Sequence, residues 1–188
     1  MQLYVARHGE TELNAQQRYQ GSSDYPLNEQ GLAQARELAA RLPAGITRVV
    51  ASPLLRAQQT AQAVSDRTGV PVVTIAGFRE RCYGAFEGLN REQTIERYPD
   101  LIARRIAQQW DDAPPGGETM RQAVGRVEQA LLDLHAQQQG QVVLLVAHGF
   151  VARAVRWLLL RAAEDAFYAE PMIDNCEFQH YPLVRPWR

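Results

Sequence analysis

Cysteine is scarce: Cys82 and Cys176 are the only two in 188 residues. Two thiols cannot build a disulfide scaffold, and their separation excludes a CxxC redox or zinc element. They read as two reduced thiols, with a single bridge as the alternative. Neither sign of charge is in excess, since 20 basic against 21 acidic residues leave a formal net charge of -1. Bulk attraction to nucleic acid or to an anionic membrane is therefore not expected, and any anion must be gathered by a few placed arginines. Long apolar runs are missing too. Val142 to Ala147 and Val151 to Leu160 are too short, or too interrupted by charge, to span a bilayer. The N-terminus opens on a strand-like run without a basic leader and small-residue cleavage site. The expectation is a soluble, cytoplasmic protein with no membrane or nucleic-acid partner. There is no HExxH, no clustered Cys/His and no paired aspartate motif.

What is present is ordinary globular composition, 46% hydrophobic and 22% charged. A chain of this size buries roughly 70% of its unfolded surface. No repeat, low-complexity tract or linker divides it, so residues 1–188 read as a single domain. Leu3 to Ala6 is a short apolar run that stops at Arg7-His8-Gly9, as a buried strand ending in a turn would. A long polar loop, Glu12 to Asn28, leads to a helix with Leu32, Ala35, Leu38, Ala39 and Leu42 on one face. Thr47 to Ala51 is a second strand. Ser52-Pro53 then reads as an N-cap followed by proline at the first helical position, opening a helix that ends near Gly69. Pro71 to Ile75 is a third strand, followed by a loop to Leu89.

One or two helices occupy Arg91 to Trp110, interrupted by Pro99, and Pro114 to Gly117 is a turn. A helix from about Glu118 to Gln138 precedes Val142 to Ala147, whose unbroken apolar character marks a central strand covered on both faces. This strand also ends in histidine and glycine, His148-Gly149, before the apolar helix Phe150 to Leu160. Pro171 to Trp187 reads as one or two last strands, with Phe178, Tyr181, Leu183 and Trp187 covering a sheet edge or contributing to a dimer contact. The alternation predicts an α/β fold: a three-layer α/β/α sandwich around a mostly parallel central sheet.

Four features fall just past inferred strands: Arg7-His8, Arg56 one turn into a helix, Glu80, and His148. In such a sheet these positions share one rim, so distant residues converge there. Arginine forks match phosphate oxygens, and helix N-termini near Ser52 and Phe150 would add N–H donors. Two histidines beside an anion site suit attack on phosphorus and stabilisation of the transferring group, and a nearby carboxyl can protonate the leaving oxygen. Each residue also has a plainer reading: polar strand ends for His8 and His148, a helix-surface cation for Arg56, a salt-bridged loop carboxylate for Glu80.

The segment Leu3-Tyr4-Val5-Ala6-Arg7-His8-Gly9-Glu10-Thr11-Glu12-Leu13-Asn14 resembles the signature of the histidine phosphatase superfamily, also called phosphoglycerate mutase-like. Further segments resemble that family in the same order: Gln20-Gly21 with Asp24, Pro26, Leu27 and Gly31; Ser52 to Ala61; Arg79 to Gly88; Pro115 to Thr119; Val146 to Gly149; and Asn175-Cys176. The resemblance implies that His8 becomes a phosphohistidine. It implies a phosphate pocket of Arg7, Arg56, His148 and Asn14, with Gln20, Gly21 and Gly149 beside them, and Glu80 as general acid and later base. It also implies that no metal or other cofactor is needed, since guanidinium and imidazole groups take the electrostatic role of a magnesium ion.

The family contains mutases, which return the phosphoryl group, and phosphatases, which pass it to water. A compact helical insert at about 90–113 and the end at Arg188 favour a small phosphatase acting on phosphate monoesters. A mutase and a non-catalytic phospho-ligand binder are the alternatives. Arg81, Cys82, Tyr83, Phe86, Arg104, Arg105 and Trp110 are the candidates to line or rim the substrate pocket, each equally readable as packing or surface charge. The partner expected is a small phosphorylated substrate, and the chain is read as a monomer or homodimer.

Overall fold

The computed structural model describes residues 1–184; Trp187 lies outside them. Five strands form one sheet: β1 (Gln2–Arg7), β2 (Arg48–Ala51), β3 (Val72–Thr74), β4 (Val142–Ala147) and β5 (Phe178–Pro182), in the order β3-β2-β4-β1-β5. The first four are mutually parallel, and β5 runs antiparallel along β1. Among the described residues the last segment therefore supplies one strand, and it covers the outer edge of β1. Among the described residues seven α-helices accompany the sheet: α1 (Glu12–Ala15), α2 (Glu29–Arg41), α3 (Leu55–Thr68), α4 (Arg91–Arg97), α5 (Pro99–Ala103), α6 (Met120–Gln137) and α7 (Gly149–Leu160). None of these helices is long and apolar enough to cross a membrane among the described residues.

The sheet is apolar on both faces because helices lie on both. Strand periodicity sorts the side chains. Val143, Leu145 and Ala147 of β4 join a core with Leu131, Leu134, Val151 and Val155 from α6 and α7. Leu144 and Val146 join Leu38, Ala39, Ala61 and Val64 from α2 and α3 on the other face. Each buried valine or leucine side chain contributes about 1.5–3 kcal/mol on burial, which accounts for the nearly unbroken apolar composition of β4.

Two local expectations are corrected. The stretch from Glu12 is not wholly loop, because Thr11 and Asn14 close a capping box that starts the short α1. Ser52 is not an N-cap: α3 begins at Leu55 with Leu54 in the cap position, and the Leu55 N–H is taken by Asp24 Oδ1 at 2.6 Å. The helical segment breaks at Tyr98, with Pro99 opening α5 where its missing N–H costs nothing.

Candidate active site

Parallel pairing brings the strand tips together. Arg7 is in register with Ala147, and Ala51 with Val146. The next residues, His8, His148 and Ser52, therefore emerge side by side on one rim. The two imidazoles lie edge to face with centroids 5.1 Å apart, and both are buried. Gly9 is required where the chain leaves β1, since a Cβ there would sit 2.5 Å from the Gly31 carbonyl oxygen. Its N–H is held by Thr60 Oγ1 at 3.0 Å.

The proton positions on His8 follow from its partners. Nδ1 is 2.7 Å from the Gly9 carbonyl oxygen, which can only accept, so Nδ1 carries the proton. Nε2 is left with its lone pair, and Arg56 Nε donates to it at 3.2 Å. Burial, then the charges of Arg56 and Arg7, hold the His8 pKa well below the usual histidine range. The imidazole is neutral and nucleophilic at ordinary pH. His148 is lowered likewise by burial, then by Arg56, His8 and Arg7. Its Nε2 lies 2.6 Å from Ser52 Oγ, while its Nδ1 is buried without a partner among the described residues.

Arg56 is fully buried on the first turn of α3. Its Nη1 donates to the Ser23 carbonyl at 2.7 Å and Nη2 to the Gly21 carbonyl at 2.8 Å, which orients the Nε edge toward His8. Gly21 thus holds Arg56, with φ +53 and no room for a Cβ, which would lie 1.9 Å from Glu87 Oε1. The Glu87 carboxylate in turn accepts from Ser22 N, Ser23 N, Ser23 Oγ and Tyr83 N. Burial would raise its pKa, but these hydrogen bonds outweigh burial and keep it low. Arg7 donates through Nη1 to the Ile173 carbonyl at 3.0 Å, and its Nε is a second buried nitrogen without a partner among the described residues.

Glu80 arrives from the far side, after β3 and a 3-10 turn at Ala76–Phe78. Its Oε1 accepts from Arg81 N at 2.8 Å and its Oε2 from Phe150 N at 3.3 Å, within the first turn of α7. Burial raises its pKa against the opposing pull of these N–H groups, Arg56 and Arg7. The carboxyl therefore holds its proton to higher pH than an exposed glutamate. A neutral base, two cations and a carboxyl with a raised pKa share one buried rim.

Asn14 and Gln20 lie next to this centre in a hydrogen-bonded ring. Thr11 Oγ1 donates to Gln20 Oε1 at 2.9 Å, and Asn14 Oδ1 accepts from Thr11 N and from Asn175 Nδ2. Asn175 Nδ2 also donates to the His8 carbonyl at 2.8 Å. Gly149 begins α7, with Met172 against its Cα face.

The substrate-pocket candidates separate. Arg81 is fully buried: Nε donates to the Glu118 carbonyl at 2.9 Å and Nη1 to the Ala107 carbonyl at 2.6 Å, with Tyr83 and Phe150 stacked on the guanidinium. Tyr83 stands beside it, and burial, then Glu80, push its phenol pKa up. Cys82 is part-buried, with Sγ 3.6 Å from the Gly116 carbonyl. Phe86 is core, packed between Tyr19 and Tyr98. Arg104 is exposed and paired with Asp112 at 2.8 Å. Trp110 packs against Trp157 and Phe167, with Arg121 over its ring. Phe86, Arg104 and Trp110 are thus committed to packing or a surface pair, because the turns around them point them there.

Sequence reasoning missed Ser52, Thr60, Glu87 and Asn175 as members of the site. Ser52 had a visible signal, its place just past a strand, but it was absorbed into a capping reading. The others are recognisable only once the chain is folded.

A model of the histidine phosphatase superfamily (branch 1) matches residues 3–182. The chain is similar to a protein named probable phosphoglycerate mutase GpmB from Enterobacter sp. (strain 638), 37% identical over 79% of this chain and 70% of that protein. It is similar to a protein named uncharacterized phosphatase PhoE from Bacillus subtilis (strain 168), 36% identical over 80% of this chain and 73% of that one. Among solved structures it is similar to the mycobacterial glucosyl-3-phosphoglycerate phosphatase Rv2419c in its VO3 complex. That likeness has a TM-score of 0.84 and 30% identity over 95% of this chain and 91% of that one.

Proposed function

The chain belongs to branch 1 of the histidine phosphatase superfamily, and on that premise we propose that it hydrolyses small-molecule phosphate monoesters through a phosphohistidine. His8 Nε2 attacks phosphorus as the P–O ester bond breaks, and Glu80 gives its proton to the departing alkoxide. Water then attacks the phosphohistidine, its proton passes to the Glu80 carboxylate, and His8 and inorganic phosphate are released. Arg7, Arg56 and His148 hold the equatorial oxygens. Residues 1–188 act as one domain, with the helices of 90–113 as the segment that shapes the leaving-group side.

The observation that carries this reading is the set of nitrogens around His8. Arg7 Nε and His148 Nδ1 are buried without a partner among the described residues, and Arg56 Nε rests on the nucleophilic lone pair itself. Buried unpaired N–H groups cost about 1–3 kcal/mol each, and a phosphoryl group repays that cost by accepting from all three. No three His, Cys, Asp or Glu side chains are grouped to hold a metal among the described residues. The GpmB name keeps a second reading in view, in which the phosphoryl group returns to a phosphoglycerate.

The test is turnover of p-nitrophenyl phosphate in the presence of EDTA by wild type and His8→Ala. Activity should be abolished in the variant, and an acid-labile, base-stable phosphoprotein should be trappable in wild type. Equal turnover by both proteins would refute the mechanism. Interconversion of phosphoglycerates with a bisphosphate primer, faster than phosphate release, would select the mutase reading.

A further inference from the structure

Residues 79–83, which carry Glu80, belong to no strand or helix, so no regular backbone ladder fixes where the carboxyl stands. Two side chains take over that task. Arg126, on α6, donates through Nη1 to the Gly77 carbonyl at 2.9 Å and to the Arg79 carbonyl at 2.8 Å. Its other edge holds the Glu118 carboxylate, with Nε 3.2 Å from Oε1 and Nη2 2.9 Å from Oε2. Glu118 Oε2 accepts in turn from Cys82 N at 2.9 Å, and the Glu118 N–H donates to the Cys82 carbonyl at 2.9 Å. The Glu118 carbonyl takes Arg81 Nε, also at 2.9 Å.

The pair thus holds the loop on both sides of Glu80. Before it, the carbonyls of Gly77 and Arg79 are tied; after it, the Arg81 side chain and both backbone groups of Cys82 are tied. Phe78, between the two carbonyls, is buried in the core with Val127 and Ala130 of α6. A bidentate arginine–carboxylate fork fixes orientation as well as distance. With side chains only 21% and 20% exposed, this one is shielded from the screening that weakens surface pairs.

The acid needs that precision. Proton transfer to a leaving oxygen requires hydrogen-bond reach, and a misplacement of about 1 Å can cost about 10²-fold in rate. The carboxyl's own hydrogen bonds do not supply it. Arg81 N, at 2.8 Å from Oε1, moves with the same loop, and the one tie to another element is Phe150 N at 3.3 Å.

We propose that Glu118 and Arg126 are positioning residues for the leaving-group step, holding Glu80 where its carboxyl reaches the departing alkoxide. The inference rests on the hydrolytic reading above and assigns to a pair outside the phosphate pocket control over which alcohols are released. After burial, Arg56, His8 and Arg7, Arg126 also contributes to holding the His148 pKa low. That influence acts on the phosphate side and falls on every substrate alike, so the two effects are separable.

The test compares kcat/KM for phenyl phosphate and p-nitrophenyl phosphate, which differ by one nitro group. Phenoxide needs a proton to depart and p-nitrophenoxide does not, and kcat/KM reports the steps up to phosphorylation of His8. Arg126→Met should lower it about tenfold or more on phenyl phosphate, within the scale of acid catalysis, and by no more than about twofold on p-nitrophenyl phosphate. Glu118→Gln, which keeps an acceptor for Cys82 N, should show the same selectivity with a smaller loss, and it carries the test if Arg126→Met does not fold. In a Glu80→Gln background either substitution should add no more than about twofold on phenyl phosphate, since the group they position is gone. Equal losses on the two substrates, or none, overturn the positioning role and leave the hydrolytic reading standing. A selective loss that recurs in full in the Glu80→Gln background overturns the route through Glu80. Failure of wild type to hydrolyse either ester overturns both.

Discussion

Replacing Ser52 by alanine removes one oxygen from the interior, and the geometry sets what that should do. Ser52 is fully buried, and its Oγ accepts from Leu54 N at 3.3 Å while lying 2.6 Å from His148 Nε2. Nε2 is the one acceptor that the described residues offer to the hydroxyl proton, and with that proton directed to it the imidazole proton resides on Nδ1, the nitrogen that faces no protein partner among the described residues. Ser52 is thus a positioning residue that fixes the His148 tautomer as an Nδ1–H donor. Alanine leaves a buried ring nitrogen unsatisfied, a cost of about 1–3 kcal/mol. For a chain of this length that lowers Tm by about 4–8 °C if the cost is about 2 kcal/mol. On activity, the loss should fall in kcat by about 10- to 100-fold, short of the roughly 10²–10³ that deleting a donor outright costs. The assay is steady-state hydrolysis of p-nitrophenyl phosphate, paired with 15N NMR of His148 to locate its proton. A variant with lowered Tm but kcat within about twofold of wild type would show that the hydroxyl is merely structural. A wild-type spectrum with the proton on Nε2 would refute the argument at its root.

Glu80→Gln should cost about 10²–10⁴ in kcat/KM on alkyl monoesters, which need a proton on the leaving oxygen. The loss should be much smaller with p-nitrophenol as the leaving group. In wild type, activity should fall as pH rises through the raised Glu80 pKa, and the variant should lose that limb of the profile. Stability should decline as pH falls below about 6.5, because unfolded His8 and His148 take up protons that their lowered folded values refuse. Each histidine contributes up to about 1.4 kcal/mol per pH unit there, and His8→Asn should reduce the slope in Tm against pH. Glu80 acts with the opposite sign: its raised value favours the protonated fold, and that contribution is lost as pH rises through it. Arg81→Met should leave the Ala107 and Glu118 carbonyls without donors, at about 1–3 kcal/mol each. Hydrogen exchange should then show residues 99–108 opening before the central strands.

Much of the fold was legible because it is local or periodic. The unbroken run of β4 announced a strand covered on both faces, and the apolar spacing of α2 and α6 marked their inner sides. The stops at Arg7-His8-Gly9 and Ala147-His148-Gly149 located the chemistry at strand ends, since a polar pair cannot continue a buried strand. The capping of α1 and the start of α3 were missed. Thr11 and Asn14 act through a box of hydrogen bonds three residues apart, and α3 is capped by Asp24 from another loop.

By itself, then, the chain's order of residues determined the α/β layering, the family and the identity of the histidines, arginines and glutamate that the rim collects. Tertiary structure alone decided who holds whom. The strand order puts β4 between β1 and β2, so His148 stands between His8 and Ser52, residues 140 and 96 positions away. It turned Arg81 from a pocket cation into a buried fork held by the Glu118 and Ala107 carbonyls. Periodicity records which face of an element is buried; the partner of a polar side chain depends on which distant segment arrives there, and only the folded backbone specifies that.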